Sequence, residues 1–124
     1  MKAVAEIEGR RRAILQELAG MRSLRRGTLN EQYFQVRRRG GLEPVRRGPY
    51  YVLSRREGKR TVSRRVRRAE VERTRAEIAA QHRFRELCRE YEELTERLGE
   101  LESAGKEDSR EKKLRRSRSR KTER

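Results

Sequence analysis

The run Arg46-Arg47-Gly48-Pro49-Tyr50-Tyr51-Val52-Leu53-Ser54-Arg55-Arg56-Glu57-Gly58-Lys59-Arg60-Thr61-Val62-Ser63-Arg64-Arg65 decides the fold, because it reads as a β-hairpin. Gly48-Pro49 has the composition of a turn that opens it. Tyr50 to Arg55 is aromatic and apolar enough for a strand. Glu57-Gly58-Lys59 supplies a tight reversal in which Gly58 can take a positive φ. Arg60 to Arg65 then alternates apolar or hydroxyl residues with cations. Because successive strand side chains point to opposite faces, Tyr51 and Leu53 are expected in the sheet core and Tyr50 on the exposed face.

Upstream of the hairpin, residues 31–38 read as a first strand, with Tyr33, Gln35 and Arg37 on one face and Phe34, Val36 and Arg38 on the other. Arg39-Gly40-Gly41 ends it, and Pro44 marks the connector Leu42-Glu43-Pro44-Val45. Residues 3–19 form an amphipathic helix on the stripe Val4, Ile7, Ile14, Leu18 and Met21, widened by Leu15 and interrupted by Arg11. Arg10-Arg11-Arg12 reads as a solvated helix face, and residues 20–30 as a basic loop carrying Arg22, Arg25 and Arg26.

Downstream, residues 67–103 read as a helix of roughly 55 Å at about 1.5 Å per residue. Val71 and Ile78 can cover the sheet. From Phe84 the pattern becomes a coiled-coil seam: Phe84, Leu87, Tyr91, Leu94, Leu98 and Leu101, spaced 3, 4, 3, 4 and 3. Its phase slips by one residue from Val71/Ile78, so two surfaces are engaged. The helix outruns the sheet, and its distal half needs the 3–19 helix or a second copy of the chain. The seam residues are therefore the candidates for oligomerisation, with a homodimer through 84–101 as one outcome. Ser103-Ala104-Gly105 is expected to end the helix, leaving a disordered basic tail. The expected fold is α+β: an N-terminal helix, a three-stranded antiparallel sheet, and a long coiled-coil-like helix. It makes a single domain over 1–104, followed by the tail over 105–124.

Composition bounds what such a chain can do. With 124 residues, 31% of them hydrophobic, it cannot bury a large core. A net charge of +16 asks for a polyanionic partner. The charge is segregated, at +6 over residues 1–40, +8 over 41–69, −4 over 70–104 and +6 over 105–124. No apolar run approaches the ~20 residues of a membrane span, and the N-terminus has no signal-peptide pattern, so a cytoplasmic or nucleoid-associated protein without membrane contact is expected. Catalysis fails on inventory. The one aspartate, Asp108, lies in the tail, and the one histidine, His82, lies on a charged helix six residues from the one cysteine, Cys88. That supports neither a nucleophile with its base nor a metal site, so no enzyme activity and no cofactor are expected.

Nucleic-acid binding has the right parts. Arginine forks hold phosphates and read guanine edges, and a two-stranded ribbon fits the major groove of B-DNA. The candidate contacts are Arg37, Arg38, Arg39, Arg46, Arg47, Tyr50, Arg55, Arg56, Lys59, Arg60, Arg64 and Arg65, with Thr61 and Ser63 as hydroxyl donors. DNA is favoured over RNA. A small RNA-binding or ribosome-associated protein, and a coiled-coil adaptor for protein partners, are the alternatives.

The segments Glu31-Gln32-Tyr33-Phe34, Arg47 to Arg64 and Phe84-Arg85-Glu86-Leu87 together resemble an uncharacterised bacterial domain family. Its members share a Gly-Pro-Tyr-Tyr strand, a Gly-Lys hairpin running into Ser-Arg, and a long following helix. The resemblance spans roughly residues 5–103. Such domains are often found near transposases, which implies an accessory DNA-binding role at mobile elements and a transposase or integrase partner. Several relatives carry a cysteine cluster between the first two strands. Here Arg37-Arg38-Arg39-Gly40-Gly41 takes that place, so no metal role carries over. The strand–strand–strand–helix order is also similar to the arm-site-binding domains of tyrosine recombinases, in topology alone.

Overall fold

Helical and strand periodicities alternate along the chain as the sequence requires, and a computed structural model gives them as α1 (Lys2–Gly20), β1 (Thr28–Val36), β2 (Val45–Glu57), β3 (Arg60–Val66), a 3₁₀ turn (Arg68–Glu70) and α2 (Val71–Thr122). The structure describes residues 2–37, 39–41 and 43–122, with side chains as far as Arg118 at the C-terminal end. The three strands form one antiparallel sheet in the order β1-β2-β3, as the α+β expectation has it. The chain folds as two compact units, one built from residues 21–85 and the other from α1 together with α2 from Glu86 onward.

In the sheet unit the hairpin closes through Gly58-Lys59, with Glu57 opposite Arg60. Gly58 takes φ 62°, as a tight turn with glycine in its first central position needs. Leu53, Val66 and Val71 form the buried core, with Leu29, Tyr51 and Ile78 packed against it. Each fully buried aliphatic side chain of this kind contributes about 1.5–3 kcal/mol. The start of α2 thus covers one face of the sheet. Thr74, also buried, satisfies its hydroxyl by donating to the Glu70 carbonyl at 2.8 Å.

In the other unit, Ile7 and Ile14 of α1 are buried, as are Leu87 and Leu98 of α2. Arg10 donates through Nε and Nη2 to the two oxygens of the Glu90 carboxylate. Arg11 donates to Tyr91 Oη at 3.0 Å and lies 4.8 Å from its ring centroid. The distal seam is therefore covered by α1, the first of the two options open to it.

Several boundaries differ from the sequence reading, each for a physical reason. β1 starts at Thr28 because Thr28 and Leu29 pair with Ser54 and Leu53, a non-local gain that overrides their turn-like composition. Gly48-Pro49 lies inside β2 rather than opening it. Between Gln32↔Tyr50 and Phe34↔Arg47 the register slips, so β2 carries an extra residue there, a bulge. Gly48 takes φ 139°, and an added Cβ would meet the Gln32 carbonyl oxygen at 2.8 Å and Tyr33 at 2.9 Å. α2 does not stop at Gly105 but runs on through Thr122, so the expected disordered tail is helical over its described residues. One glycine costs a helix only about 1 kcal/mol, and Asp108 with Lys112 and Glu111 with Arg115 make favourable four-residue pairs beyond it. Leu15 does not widen the α1 stripe, being 48% exposed. Arg10 and Arg11, read as a solvated face, are instead tied to α2.

Candidate nucleic-acid interface

Strand pairing assigns every described side chain of the sheet to a face. Leu29, Glu31, Tyr51, Leu53, Arg55, Val62, Arg64 and Val66 share the face that α2 covers, since directly opposed residues project the same way. Arg75 of α2 reaches this face, donating to Glu31 Oε1 at 3.1 Å and lying 6.0 Å from the Tyr51 ring. The opposite, open face carries Tyr50, Val52, Ser54 and Arg56 of β2, with Thr61, Ser63 and Arg65 of β3.

The bulge alters this pattern near the start of β2. Plain alternation from Tyr50 would put Arg46 on the open face and Arg47 beneath. With the extra residue, Arg47 opposes Phe34 and Arg46 opposes Gln35. Phe34 touches Tyr50, with ring centroids 5.4 Å apart and planes at 52°. Phe34 and Arg47 therefore belong to the open face, while Arg46 lies 4.0 Å from the Tyr33 ring on the other.

Two further contacts fix the open face. The Arg65 guanidinium carbon lies over Tyr50, 4.0 Å from the ring centroid, a cation–π contact. Ser54 Oγ and Ser63 Oγ are 2.9 Å apart, bonded to each other across β2 and β3. The sheet's two described carboxylates outside the connector, Glu31 and Glu57, both belong to the covered face by register. The open face thus presents Arg47, Arg56 and Arg65, two aromatics, the hydroxyls of Thr28, Ser54, Thr61 and Ser63, and no carboxylate among its described residues.

The twelve expected contacts do not form one patch. Arg47, Tyr50, Arg56 and Arg65 are brought together on the open face. Arg46, Arg55, Arg60 and Arg64 lie on the other face and are exposed, and Arg55 Nε is 3.3 Å from Glu57 Oε1. Lys59 is in the hairpin turn, and Arg37 and Arg39 flank the β1 end. Arg38 lies outside the described residues. Tyr50 is half-buried, and Leu53 is buried as expected. Thr61 and Ser63 share a face as expected, although the Ser63 hydroxyl is engaged by Ser54.

Of the six seam residues, Leu87 and Leu98 are buried within the chain, and Phe84, Tyr91, Leu94 and Leu101 are half-buried. Phe84 falls in the sheet unit with Val71 and Ile78, and the other five in the helical unit.

Sequence reasoning missed a charged node beside the sheet. Glu77 is 6% exposed. It lies 3.2 Å from Arg25 Nη2 and 3.2 Å from Arg73 Nε. The Arg25 backbone N–H donates to the Glu77 carbonyl at 3.1 Å, so the loop before β1 is fastened to α2. A hydrogen bond from Ser23 holds the Glu77 carboxyl below its ordinary pKa, aided by the charges of Arg25 and Arg73 and opposed by burial. The one available signal was a glutamate three residues beyond Thr74, itself three beyond Val71, on the buried side of α2.

Among the described residues no group of three or more His, Cys, Asp or Glu side chains converges, and no helix is long and apolar enough to cross a membrane. Cys88 and His82 are both exposed. A family model described as a domain of unknown function (DUF6788) matches residues 4–76, taking in α1, the whole sheet and the first turns of α2. No curated protein and no solved structure matches the chain.

Proposed function

We propose that this chain, which belongs to the DUF6788 family of domains of unknown function, is a non-catalytic nucleic-acid-binding module that offers the open face of its sheet to DNA. The carrying observation is the placement of the sheet's carboxylates: Glu31 and Glu57 lie with the helix on one face, which leaves Arg47, Arg56 and Arg65, two aromatics and four hydroxyl side chains on the other with no carboxylate among its described residues. Arginine forks on a rigid strand scaffold bind phosphates bidentately, and a helix-backed sheet or ribbon is a shape that DNA grooves admit. Lys59 adds a cation at the turn end of the sheet, while Arg60 belongs to the other face. An accessory role at mobile elements belongs to the same proposal and rests on the resemblance of the hairpin. Its test is co-purification with a transposase or integrase encoded alongside.

The binding test is a fluorescence-anisotropy titration against duplex DNA at several salt concentrations. Affinity should fall steeply with salt, and replacing Arg47, Arg56 and Arg65 with Ala should reduce the slope of log K against log salt by about 2–3. The absence of binding to DNA and RNA at low salt would sink the reading, and preference for structured RNA in competition would turn it toward the RNA alternative. The adaptor alternative is the weaker one, because the seam it needs is already covered by α1.

A further inference from the structure

The open face is not uniform along its length. Toward the hairpin turn it carries Arg56, Thr61 and Ser63. At the other end it carries Phe34 at 50% exposure, with Val36 and Val45 each at 38%. Val36 opposes Val45, and Phe34 opposes Arg47, so this apolar cluster is continuous with the arginines of the same face. Burying such a cluster is favourable, and a polar groove edge cannot do it: the floor of a duplex groove offers donors and acceptors, with thymine methyls as its main apolar groups.

We propose that the Phe34 end of the open face is a subsite for unpaired bases, so that the chain takes DNA in which a single strand adjoins a duplex. The proposal rests on the nucleic-acid reading above and adds what the second end of the sheet does. Tyr50 has one ring face occupied by Arg65, whereas Phe34 meets Tyr50 at a tilt and keeps an outer face toward solvent. Phe34 is therefore the stacking surface, and every unstacked base has a π-face to lay on it. Arg47 opposes Phe34 across the strands and Arg65 lies over the neighbouring Tyr50 ring, so two cations adjoin that stacking surface on the same face.

Two other occupants fit less well. An apolar protein surface would strip water from the neighbouring guanidinium groups without supplying an anion, which is costly. A second copy of the same face would bring Arg47, Arg56 and Arg65 against their own like charges. The hairpin end, with Arg56 and Lys59, remains free to follow phosphates of the adjoining duplex. From Arg56 to Val45 the strand spans roughly 35 Å at about 3.3 Å per residue, long enough to serve both.

The test compares a blunt DNA duplex with the same duplex carrying a single-stranded extension of about five nucleotides, matching the site size of small stacking platforms. The full chain should bind the extended ligand about tenfold or more tightly than the blunt one. Phe34→Ala should remove that advantage, weakening the extended ligand about tenfold more than the blunt duplex, while Phe34→Trp should retain it. Equal affinity for the two ligands in the unaltered chain would overturn the subsite and leave the nucleic-acid reading standing. Binding to neither ligand would overturn both. Unchanged circular dichroism across the variants separates loss of stacking from loss of fold.

Discussion

Glu77 shows how much a single side chain can hold in a chain with so small a core. It joins the loop before β1 to α2 through Ser23, Arg25 and Arg73, and it does so while almost fully buried. Its folded-state pKa is lowered, so the carboxylate stabilises the fold at every pH above the ordinary glutamate range. That contribution is lost as pH falls through the lower folded value. Glu77→Gln should therefore melt earlier than the unaltered chain at pH 7, and the gap should close as both are taken into acid. Thermal melts across the pH range check this, and a gap that is constant with pH would contradict it. At the same scale the sequence was least legible. Arg11 reads as a break in an apolar stripe, yet its guanidinium lies over Tyr91 and bonds its hydroxyl, eighty residues away. Arg47 and Arg46 exchange faces through a bulge that depends on how closely Gly48 approaches Tyr33. No local pattern encodes either contact, because both depend on a partner distant in sequence or across the sheet.

At the scale of elements the chain was far more legible. Alternation placed Tyr51 and Leu53 beneath the helix and Tyr50 above, and the heptad spacing of 84–101 marked a surface that needs a partner. What failed were the ends. Thr28 to Asn30 has turn residues but gains a paired neighbour in β2, and Gly105 has the look of a stop but is followed by strong helix formers. Burial along α2 divides its leucines sharply, and stability should divide the same way. Leu87→Ala, at a site 1% exposed, should cost about 2–5 kcal/mol. Leu114→Ala, at a site 58% exposed, should stay within about 0.5 kcal/mol of the unaltered chain. Urea denaturation monitored by helicity measures both, and similar midpoints for the two variants would refute the division.

Over the whole molecule, the covering of the seam by α1 bears on association. Removing residues 2–20 would leave Leu87 and Leu98 facing water, and the shortened chain should self-associate where the full chain does so less. Sedimentation of the two at matched concentration decides it; equal association would mean that the seam is not what α1 protects. The arrangement of the two units also has a temporal side. Residues 21–85 are contiguous, and their sheet is a simple meander whose contacts are short-range in sequence. The helical unit joins the first twenty residues to those after Glu86, as the Arg10–Glu90 pair makes plain. Short-range contacts form early and long-range ones late. During synthesis, then, the first helix emerges with Ile7 and Ile14 lacking their eventual cover, and must wait for some seventy further residues before that cover leaves the ribosome. Its charged side chains of both signs, Arg10 to Arg12 with Glu6, Glu8 and Glu17, keep that waiting segment soluble until the nascent chain can close.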